Sequence, residues 1–329
     1  MQAIQVPSWG IAMMVVGVVV FIALVALYAR RTRGLSRPLF SSPYTLWMII
    51  FTIVPCFLIG YFAFTDANGN FTFENFMNFW DSNYDMNKDL ITMGVNPSDL
   101  GFGRGTVNVD TLVYSLWMAF LCTIFCLFLG YPAAHIMADR DFKLGPTIVV
   151  LFIIPMWMNF LLRTIAWMTL LEDNGVINNF LEWIGIGRMQ LMYNSQAVLL
   201  GMIYNFLPFM VFPIYNSLNK MDHRFSEAAM DLGANKWTTF QKVTLPLSLP
   251  GVISGITMVF MPSVTTFFIP RVLGGGNTEM FGDLIERMFL TADNWHVGSA
   301  LSMIMMVLIL LSLGLLRKVD PDGQGGSMI

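Results

Sequence analysis

Residues 226–250, SEAAMDLGANKWTTFQKVTLPLSLP, form a polar, helix-competent stretch between two long apolar runs. Asp222 can cap a helix that begins just before this stretch, and Gly233 can end that helix. Asn235 can cap a second helix, and we expect Pro246 to stop it because proline lacks the N–H that a helix interior needs. The pattern therefore predicts two short helices joined at a glycine bend and held between membrane spans.

The side chains of this stretch indicate a protein partner. Ala228 and Ala229 have little bulk, so another protein can approach the backbone closely. Apolar groups that a simple connector would not need are supplied by Phe225, Leu232, Trp237 and Phe240. This combination is typical of a helix that docks into a groove. The alternative is an amphipathic connector that lies on the membrane surface.

The overall composition is that of a membrane protein. The 329 residues are 56% hydrophobic and only 12% charged, with a mean hydropathy of +0.63, which is typical of an integral membrane protein. The cysteines Cys56, Cys122 and Cys126 all lie inside apolar runs. They argue against a disulfide framework and against a clustered metal site, and we interpret them as small core residues.

Seven apolar segments approach the length of about 20 residues that a helix needs to cross the hydrocarbon core. Their apolar runs are continuous, which favours helices over a barrel of alternating strands. The sequence therefore predicts an all-α membrane protein. The segments are Ile11–Tyr28, Leu46–Phe64, Leu112–Met137, Thr147–Leu171, Ala197–Leu218, Leu249–Pro270 and Val297–Leu316.

The flanks of the first segment predict the topology. Residues 1–8 carry no basic side chain, whereas four arginines follow the segment at positions 30–37. This order favours a retained anchor over a signal peptide, with the N-terminus outside and residues 226–250 in the cytoplasm. Acidic residues are then in excess on the outer face, where they would attract cations. The alternative is that this excess reflects only the positive-inside rule and ordinary solubility.

The outer loop from Thr65 to Thr111 contains the aromatic-rich run FTFENFMNFW at positions 71–80. Aromatic rings commonly lie at the headgroup level of a membrane. The alternative is a docking rim for a protein outside. The rings concerned belong to Phe71, Phe73, Phe76, Phe79, Trp80 and Tyr84.

The stretch EAAMDLGANKWTTFQKVTLPLSLPG at 227–251 resembles the EAA loop of the permease subunits of ABC importers. The pattern is Glu-Ala-Ala, a glycine four residues after the second alanine, and a downstream Leu-Pro. The residues that match are Glu227, Ala228, Ala229, Gly233, Leu245 and Pro246, and Asp231 lies inside the same motif.

A wider resemblance runs from about Leu46 to Leu316 and points to the spermidine/putrescine branch of the binding-protein-dependent transport inner-membrane component family. It rests on PMWMNFLLRTIAWMTLL, YNFLPFMVFPIYNSL and LPLSLPGVISGITMVFMPSVTTFFIPRVLGGG. The resemblance implies a type I (MetI-like) ABC importer permease with a six-helix pattern plus one extra N-terminal transmembrane helix. The implied organisation is an anchor and basic linker at 1–37, a permease domain at 38–318 with its coupling loop at 219–250, and a tail at 319–329.

The resemblance also implies a transport subunit of the bacterial cytoplasmic (inner) membrane and not an enzyme. The chain lacks the Gly-x-x-x-x-Gly-Lys-Ser/Thr phosphate cradle, and its glycine run Gly274–Gly276 is not followed by lysine. No cofactor is expected on this chain, because ATP and Mg would be used by a partner ATPase. The implied partners are a second homologous permease, two cytoplasmic ATPase subunits, an extracytoplasmic polyamine-binding protein and membrane lipid, but no nucleic acid.

Polar and aromatic residues of the fourth segment predict part of a translocation pathway. Asn159, Arg163 and Trp167 recur every four residues and share one helix face, with Trp157 near the inner half. Because Arg163 would repel a polyamine, we expect it to pair with Glu172, the adjacent aspartate or a carboxylate of the partner permease. Trp167 can offer an aromatic face to an ammonium group, and the alternative is anchoring at the membrane interface.

Two further groups are candidates for the same pathway. In the fifth segment, Tyr204 and Asn205 interrupt an apolar helix near a proline that frees backbone carbonyls. Outside, Glu279, Asp283 and Glu286 fall at helical spacing. They can receive a cation or contact the binding protein, and the alternative is a solvated acidic face. The three histidines are far apart in sequence, and we interpret none of them as a metal ligand.

Other classes of membrane protein fit the sequence less well. A secondary transporter would usually place paired carboxylates within its spans, and here no Asp or Glu clearly lies mid-membrane. A membrane-bound enzyme would need a clustered catalytic set, which the sequence does not show. A permease for another solute remains open, because the fold by itself does not specify the solute.

Overall fold

The computed structural model describes residues 47–81, 107–139, 142, 144–222 and 224–319. These residues cluster into two compact units, of which the first comprises 47–81 and 287–306 and the second 107–286 and 307–319. The expected N-terminal anchor at 1–37, its arginines, Tyr84 and the tail beyond residue 319 lie outside the described residues.

The described residues are largely helical, and the only bridge recorded among them is an isolated antiparallel pair, Thr65 with Phe71. A π-helical turn, Ile49–Ile53, leads into the first α-helix. In chain order the helices are α1 Val54–Ala63, α2 Met77–Trp80, α3 Val107–Ala138, α4 Gly145–Trp157, α5 Phe160–Leu171, α6 Val176–Ile184, α7 Ser195–Lys220, α8 Arg224–Asp231, α9 Lys236–Thr239, α10 Leu245–Thr265, α11 Phe268–Leu273, α12 Phe281–Leu290 and α13 Trp295–Val319.

Helix lengths confirm the all-α membrane fold for the described part of the chain. Four helices are long and apolar enough to span a membrane: Val107–Ala138, Ser195–Lys220, Lys236–Thr265 and Trp295–Gly314. A bent pair, Thr147–Trp157 and Phe160–Ile184, makes a fifth span if it is counted as one, and Ile50–Ala63 is a shorter apolar helix. These helices correspond to the second through seventh predicted segments.

The fourth predicted span, Thr147–Leu171, is wrong as a single straight helix, because the chain bends by 96° between Trp157 and Phe160. At the bend, the side-chain oxygen of Asn159 accepts a hydrogen bond of 2.8 Å from the backbone N–H of Leu161 and so caps α5. An N-cap residue has non-helical dihedral angles, so the helix must restart after it. Hydropathy does not report this interruption, since the residues on both sides are apolar.

The prediction that Pro246 stops the second helix of the 226–250 stretch is also wrong. The helix that begins at Lys236 continues for 30 residues to Thr265. Between α9 and α10 the backbone widens into a π-helical turn, Phe240–Thr244, and Pro246 follows in the first turn of α10. A π-turn changes the hydrogen-bonding register of the helix, which accommodates a residue that has no N–H to donate.

The second unit is organised around α7, which packs against both α3 and α10. Glycines allow the backbones to approach closely, as small residues do between membrane helices. A Cβ atom added at Gly251 would lie 2.5 Å from Cβ of Ser217, and one added at Gly255 would lie 2.7 Å from Sδ of Met210. On α3, a Cβ atom at Gly130 would lie 3.1 Å from Cγ of Met210.

In the first unit, one asparagine satisfies the carbonyl groups at the C-terminal end of α1. The side-chain amide of Asn75 donates to the carbonyl oxygens of Phe62, Ala63 and Thr65 at 3.3, 3.0 and 2.9 Å. The carbonyls of Phe62 and Ala63 belong to the last turn of α1 and that of Thr65 lies just beyond it, where carbonyl groups have no partner within the helix. The loop after α1 therefore folds back onto α1.

Aromatic rings of the predicted outer-loop set gather at the same end of α1. The ring of Phe64 packs against those of Phe71, Phe73 and Phe76 with centroid separations of 5.8, 5.5 and 5.1 Å. Phe71, Phe73 and Trp80 are largely exposed, whereas Phe79 is buried. Placement at the membrane interface and docking of an outer protein both stay predictions for the exposed rings.

Replacement of Gly251 by alanine tests the packing around α7. We expect Gly251→Ala to destabilise the protein by about 1–3 kcal/mol, because the added methyl group must displace Ser217 and the carbonyl of Pro213. Thermal unfolding of the purified chain in detergent measures the change. The matched control is Gly314→Ala in α13, where nothing lies within 4 Å of the new Cβ. An equal loss in both variants would contradict the close-packing explanation.

Candidate functional site

The two predicted helix starts of the 226–250 stretch are present as expected. A carboxylate oxygen of Asp222 accepts a 3.0 Å hydrogen bond from the N–H of Arg224, where α8 begins. The side-chain oxygen of Asn235 accepts a 2.7 Å hydrogen bond from the N–H of Thr238 in α9. Both side chains satisfy backbone donors that a helix N-terminus leaves free.

The glycine bend between these helices is also confirmed. Gly233 has a φ of +87°, in the left-handed region that favours glycine. Its N–H donates to the carbonyl of Met230 at 2.9 Å, and the N–H of Ala234 donates to the carbonyl of Ala229 at 3.0 Å. This pair of bonds is the Schellman pattern, which ends a helix and reverses the chain direction sharply.

The surface of this loop is exposed and carries both charged and apolar side chains. Glu227, Ala228 and Asp231 are exposed, and beside them stand the exposed side chains of Phe225 and Leu232, the latter 89% accessible. Exposed apolar groups gathered on a short helix mark a protein-interaction surface. The arrangement therefore favours docking of a partner onto α8.

Some residues of the predicted loop lie apart from α8: Phe240, predicted as an apolar anchor for a partner, and Leu245 and Pro246 of the predicted coupling set. Phe240 is half-buried, and its ring contacts those of Tyr131 and His135 with centroid separations of 5.8 and 5.6 Å. It therefore anchors the loop to α3 and does not face a partner. Leu245 and Pro246 lie near the C-terminal end of the predicted loop and are exposed in the first turn of α10.

The predicted pathway residues of the fourth segment are split by the bend. Trp157 ends α4 and is exposed, and Asn159 is exposed at the cap of α5. Trp167 lies on α5 and meets Tyr204 of α7 in an edge-to-face contact, with ring centroids 5.1 Å apart. The structure therefore brings Trp167 and Tyr204 into contact, whereas Trp157 lies on the other side of the bend.

Arg163 occupies an unusual environment one turn before Trp167. Its side chain is only 7% exposed, and its Nε has no hydrogen-bond partner among the described residues. The expected pairing with Glu172 does not form. Glu172 caps the far end of the same helix, nine residues and about 13 Å of helical rise away. The Nε atom of Arg163 therefore has no acceptor in the described part of this chain.

Asn205 and its neighbour Tyr204 point in different directions. Asn205 is 1% exposed and donates a 2.8 Å hydrogen bond to the carbonyl of Gly201, while its Oδ1 has no partner in the part of the chain that the structure describes. Tyr204 is partly exposed on another side of α7. Consecutive residues of a helix are rotated by about 100°, so the sequence pair does not form one cluster.

The acidic residues of the outer segment are engaged in contacts. One terminal nitrogen of Arg271 donates to both carboxylate oxygens of Glu286, at 2.5 and 2.6 Å. The hydrogen bond to Glu286 raises the pKa of Arg271. Glu279 and Asp283 are half-buried and make interactions of their own. The acidic residues of this segment therefore do not form a fully solvated face.

Substitution at Gly233 separates backbone strain from steric contact. Nothing lies within 4 Å of a Cβ added at this position, so the cost of a side chain comes from the positive φ alone. We expect Gly233→Val to destabilise the bend by about 1–2 kcal/mol and Gly233→Asn by less, since asparagine tolerates the left-handed region. Limited proteolysis between α8 and α9 measures the opening of the bend. Equal cleavage of both variants would contradict this explanation.

Comparisons with known proteins agree on one family. Residues 126–322 match the family described as binding-protein-dependent transport system inner membrane component. The chain is 37% identical over 206 residues to the spermidine/putrescine transport system permease protein PotB of Escherichia coli (strain K12), which covers 62% of this chain and 75% of that protein. It is 33% identical over 273 residues to the PotB protein of Haemophilus influenzae, covering 80% and 87%.

A solved structure shares the fold. A chain from the crystal structure of a bacterial ABC transporter involved in the import of the acidic polysaccharide alginate aligns with a TM-score of 0.68. The alignment covers 89% of this chain and 99% of the other at 16% sequence identity. At that identity the similarity concerns the backbone architecture alone.

Proposed function

This chain belongs to the family of inner membrane components of binding-protein-dependent transport systems, and on that premise we propose that it forms half of the translocation pathway of an ATP-driven polyamine importer. The observation that supports the substrate class is identity of 33–37% with spermidine/putrescine permeases over 62–80% of the chain. The open apolar surface of α8 supports the coupling role.

The proposed assembly contains three further membrane-associated subunits and a soluble binding protein. A second, similar permease completes the pathway, two cytoplasmic ATPase subunits use ATP and Mg, and an extracytoplasmic binding protein delivers the polyamine. The chain crosses the bacterial inner membrane several times with its N-terminus outside. Under this topology α8 faces the cytoplasm, where the ATPase subunits lie.

The geometry of the coupling loop suggests how ATPase motion reaches the membrane. A partner that grips α8 through Phe225, Glu227 and Leu232 also holds the bend at Gly233. The next helix begins three residues after Gly233 and is continuous from Lys236 to Thr265, about 45 Å of helical rise. A displacement of α8 would therefore move one end of this long helix. The same helix is long enough to cross the membrane and packs directly on α7.

The aromatic pair Trp167 and Tyr204 is the proposed contact for the ammonium groups of the solute, because aromatic faces attract cations. Arg163 lies one turn from Trp167 and would oppose the passage of a polycation if its charge were not compensated. A buried cation within a span is costly unless it is paired. We therefore propose that a carboxylate of the second permease neutralises Arg163, which keeps the pathway open to cations.

Mutation of Glu227 tests the coupling loop. We expect Glu227→Ala to lower solute uptake at least tenfold while membrane insertion is unchanged, because the side chain is exposed on α8 and supports no other part of the chain in the described structure. Uptake and ATP hydrolysis are measured in proteoliposomes that contain the complete transporter. Glu182→Ala serves as the control, since Glu182 is also an exposed carboxylate but pairs with Arg188. Normal uptake by Glu227→Ala with ATPase subunits bound would contradict the coupling role.

The rate of ATP hydrolysis by the reconstituted complex identifies the solute. The binding protein is loaded in turn with spermidine, putrescine, an amino acid and a sugar. We expect stimulation by a polyamine alone, because a loaded binding protein favours the state in which the ATPases close, and binding at the two faces is energetically linked. Stimulation by another solute would retain the importer class and overturn the polyamine assignment. Absence of co-purified ATPase subunits would overturn the coupling-loop assignment.

A further inference from the structure

The second unit carries a short helix with an exposed apolar face. Helix α6, Val176–Ile184, follows α5 after a turn of four residues. One side of α6 packs on the helical core through Ile177. On another side, apolar residues recur at helical spacing, and each of them is at least 50% exposed: Val176, Phe180, Trp183 and Ile184. No residue in the described part of the chain covers this face.

Polar side chains hold α6 firmly while its apolar face points outward. Asn178 is fully buried. Its side-chain amide donates to the carbonyl of Glu172 at 3.2 Å, and its Oδ1 accepts a 3.0 Å hydrogen bond from the N–H of Met189. Nε of Arg188 donates to Glu182 at 3.0 Å. These bonds tie the helix to the chain before and after it, so its apolar face is exposed on a fixed element and not on a loose loop.

The connection to α5 places α6 at the surface of the membrane. α5 belongs to the bent membrane segment and ends at Leu171. The exposed carboxylates of Glu172 and Asp173 follow immediately, and charged groups are costly within the hydrocarbon core. The N–H of Gly175 donates to the carbonyl of Glu172 at 2.8 Å, so the turn is tight. α6 therefore begins at the boundary between lipid and water and is continuous with the membrane-spanning part of the chain.

The chemistry of the exposed face favours lipid over a protein as its partner. Protein interfaces combine apolar contacts with about one hydrogen bond per 100–200 Å². The only side-chain hydrogen-bonding group on this face is the indole N–H of Trp183. Tryptophan is enriched at the headgroup level of membranes, and the ring of Trp183 stacks on that of Phe180 with centroids 6.0 Å apart. This combination is typical of an amphipathic helix that lies in the plane of the membrane.

We propose that α6 is an interfacial helix whose apolar face is buried in lipid at the membrane surface where α5 ends. The membrane-spanning segment then ends at Leu171 and does not continue to Ile184. Residues 172–190 carry three carboxylates and one guanidinium. Anionic lipids attract basic segments, so this charge balance predicts contact with zwitterionic lipid and no requirement for anionic headgroups.

The lipid contact has a consequence for the membrane helix that precedes it. Trp167 lies one turn before Leu171, the last residue of α5. A helix held at headgroup level restrains this end of α5 from moving along the membrane normal, and it therefore sets the depth of Trp167. This consequence rests on the proposed role of Trp167 in transport, whereas the lipid contact of α6 does not depend on that role.

Spin labelling of the full-length chain tests the lipid contact. A nitroxide is attached to Trp183→Cys in proteoliposomes of phosphatidylethanolamine and phosphatidylcholine, and the exposed Cys56 is replaced by serine. Its depth is measured from relaxation by oxygen, which partitions into lipid, and by a water-soluble nickel complex. We expect the label at position 183 to lie about 5–10 Å into the boundary between headgroups and acyl chains, as in other interfacial helices.

Glu182→Cys is the matched control for this measurement. Glu182 is exposed on the same helix and directly precedes Trp183, but consecutive residues of a helix are rotated by about 100°. We therefore expect its label to remain accessible to the nickel complex. If Trp183→Cys does not fold, Phe180→Cys on the same apolar face makes the same test.

The measurement is repeated in the complete transporter, with and without its loaded binding protein. The same depth in all preparations supports the lipid contact. Equal access of the nickel complex to the labels at 183 and 182 overturns it, because the face would then lie in water. Loss of access to both oxygen and nickel in the assembled transporter alone also overturns it, since a protein would then cover the face. A label that reaches lipid only after phosphatidylglycerol is added overturns the assignment to zwitterionic lipid.

Discussion

The close approach of three helices is the constraint on which the second unit depends. In a bilayer the lipid tails are as apolar as leucine side chains, so helices associate through packing and interhelical hydrogen bonds. Gly130, Gly251 and Gly255 bring α3 and α10 against α7 with no room for a methyl group at two of these positions. Between α3 and α10, the hydroxyls of Tyr131 and Ser248 join at 2.9 Å. This packing holds α7 in place, and α7 in turn carries Tyr204.

The same packing connects the coupling loop to the membrane helices. α10 belongs to the continuous helix that starts at Lys236 and is in contact with α7 over much of its length. The π-helical turn at Phe240–Thr244 lets this helix pass Pro246 without a break, so the loop and the membrane core share one rigid element. Phe240 secures the loop to α3, while Leu232 and Phe225 on the other side remain open to a partner.

Several buried polar groups lack a partner in the part of the chain that the structure describes. The Nε atom of Arg163 and the Oδ1 atom of Asn205 are buried and have no hydrogen-bond partner among the described residues. Such groups are expensive in a hydrocarbon environment. A second permease, ordered water or a passing solute would reduce this cost, so we expect these positions to affect transport as well as folding.

The sequence by itself determined the fold class, the helix starts at Asp222 and Asn235 and the bend at Gly233, because apolar length, caps and a positive φ are local properties of the chain. It also contained the motif that identifies the family. Only the tertiary structure decided that Trp167 meets Tyr204, that Arg163 does not reach Glu172 and that Phe240 turns inward. These outcomes depend on how helices distant in sequence pack, and on a 96° bend and a π-turn that change helix direction and register without changing hydropathy.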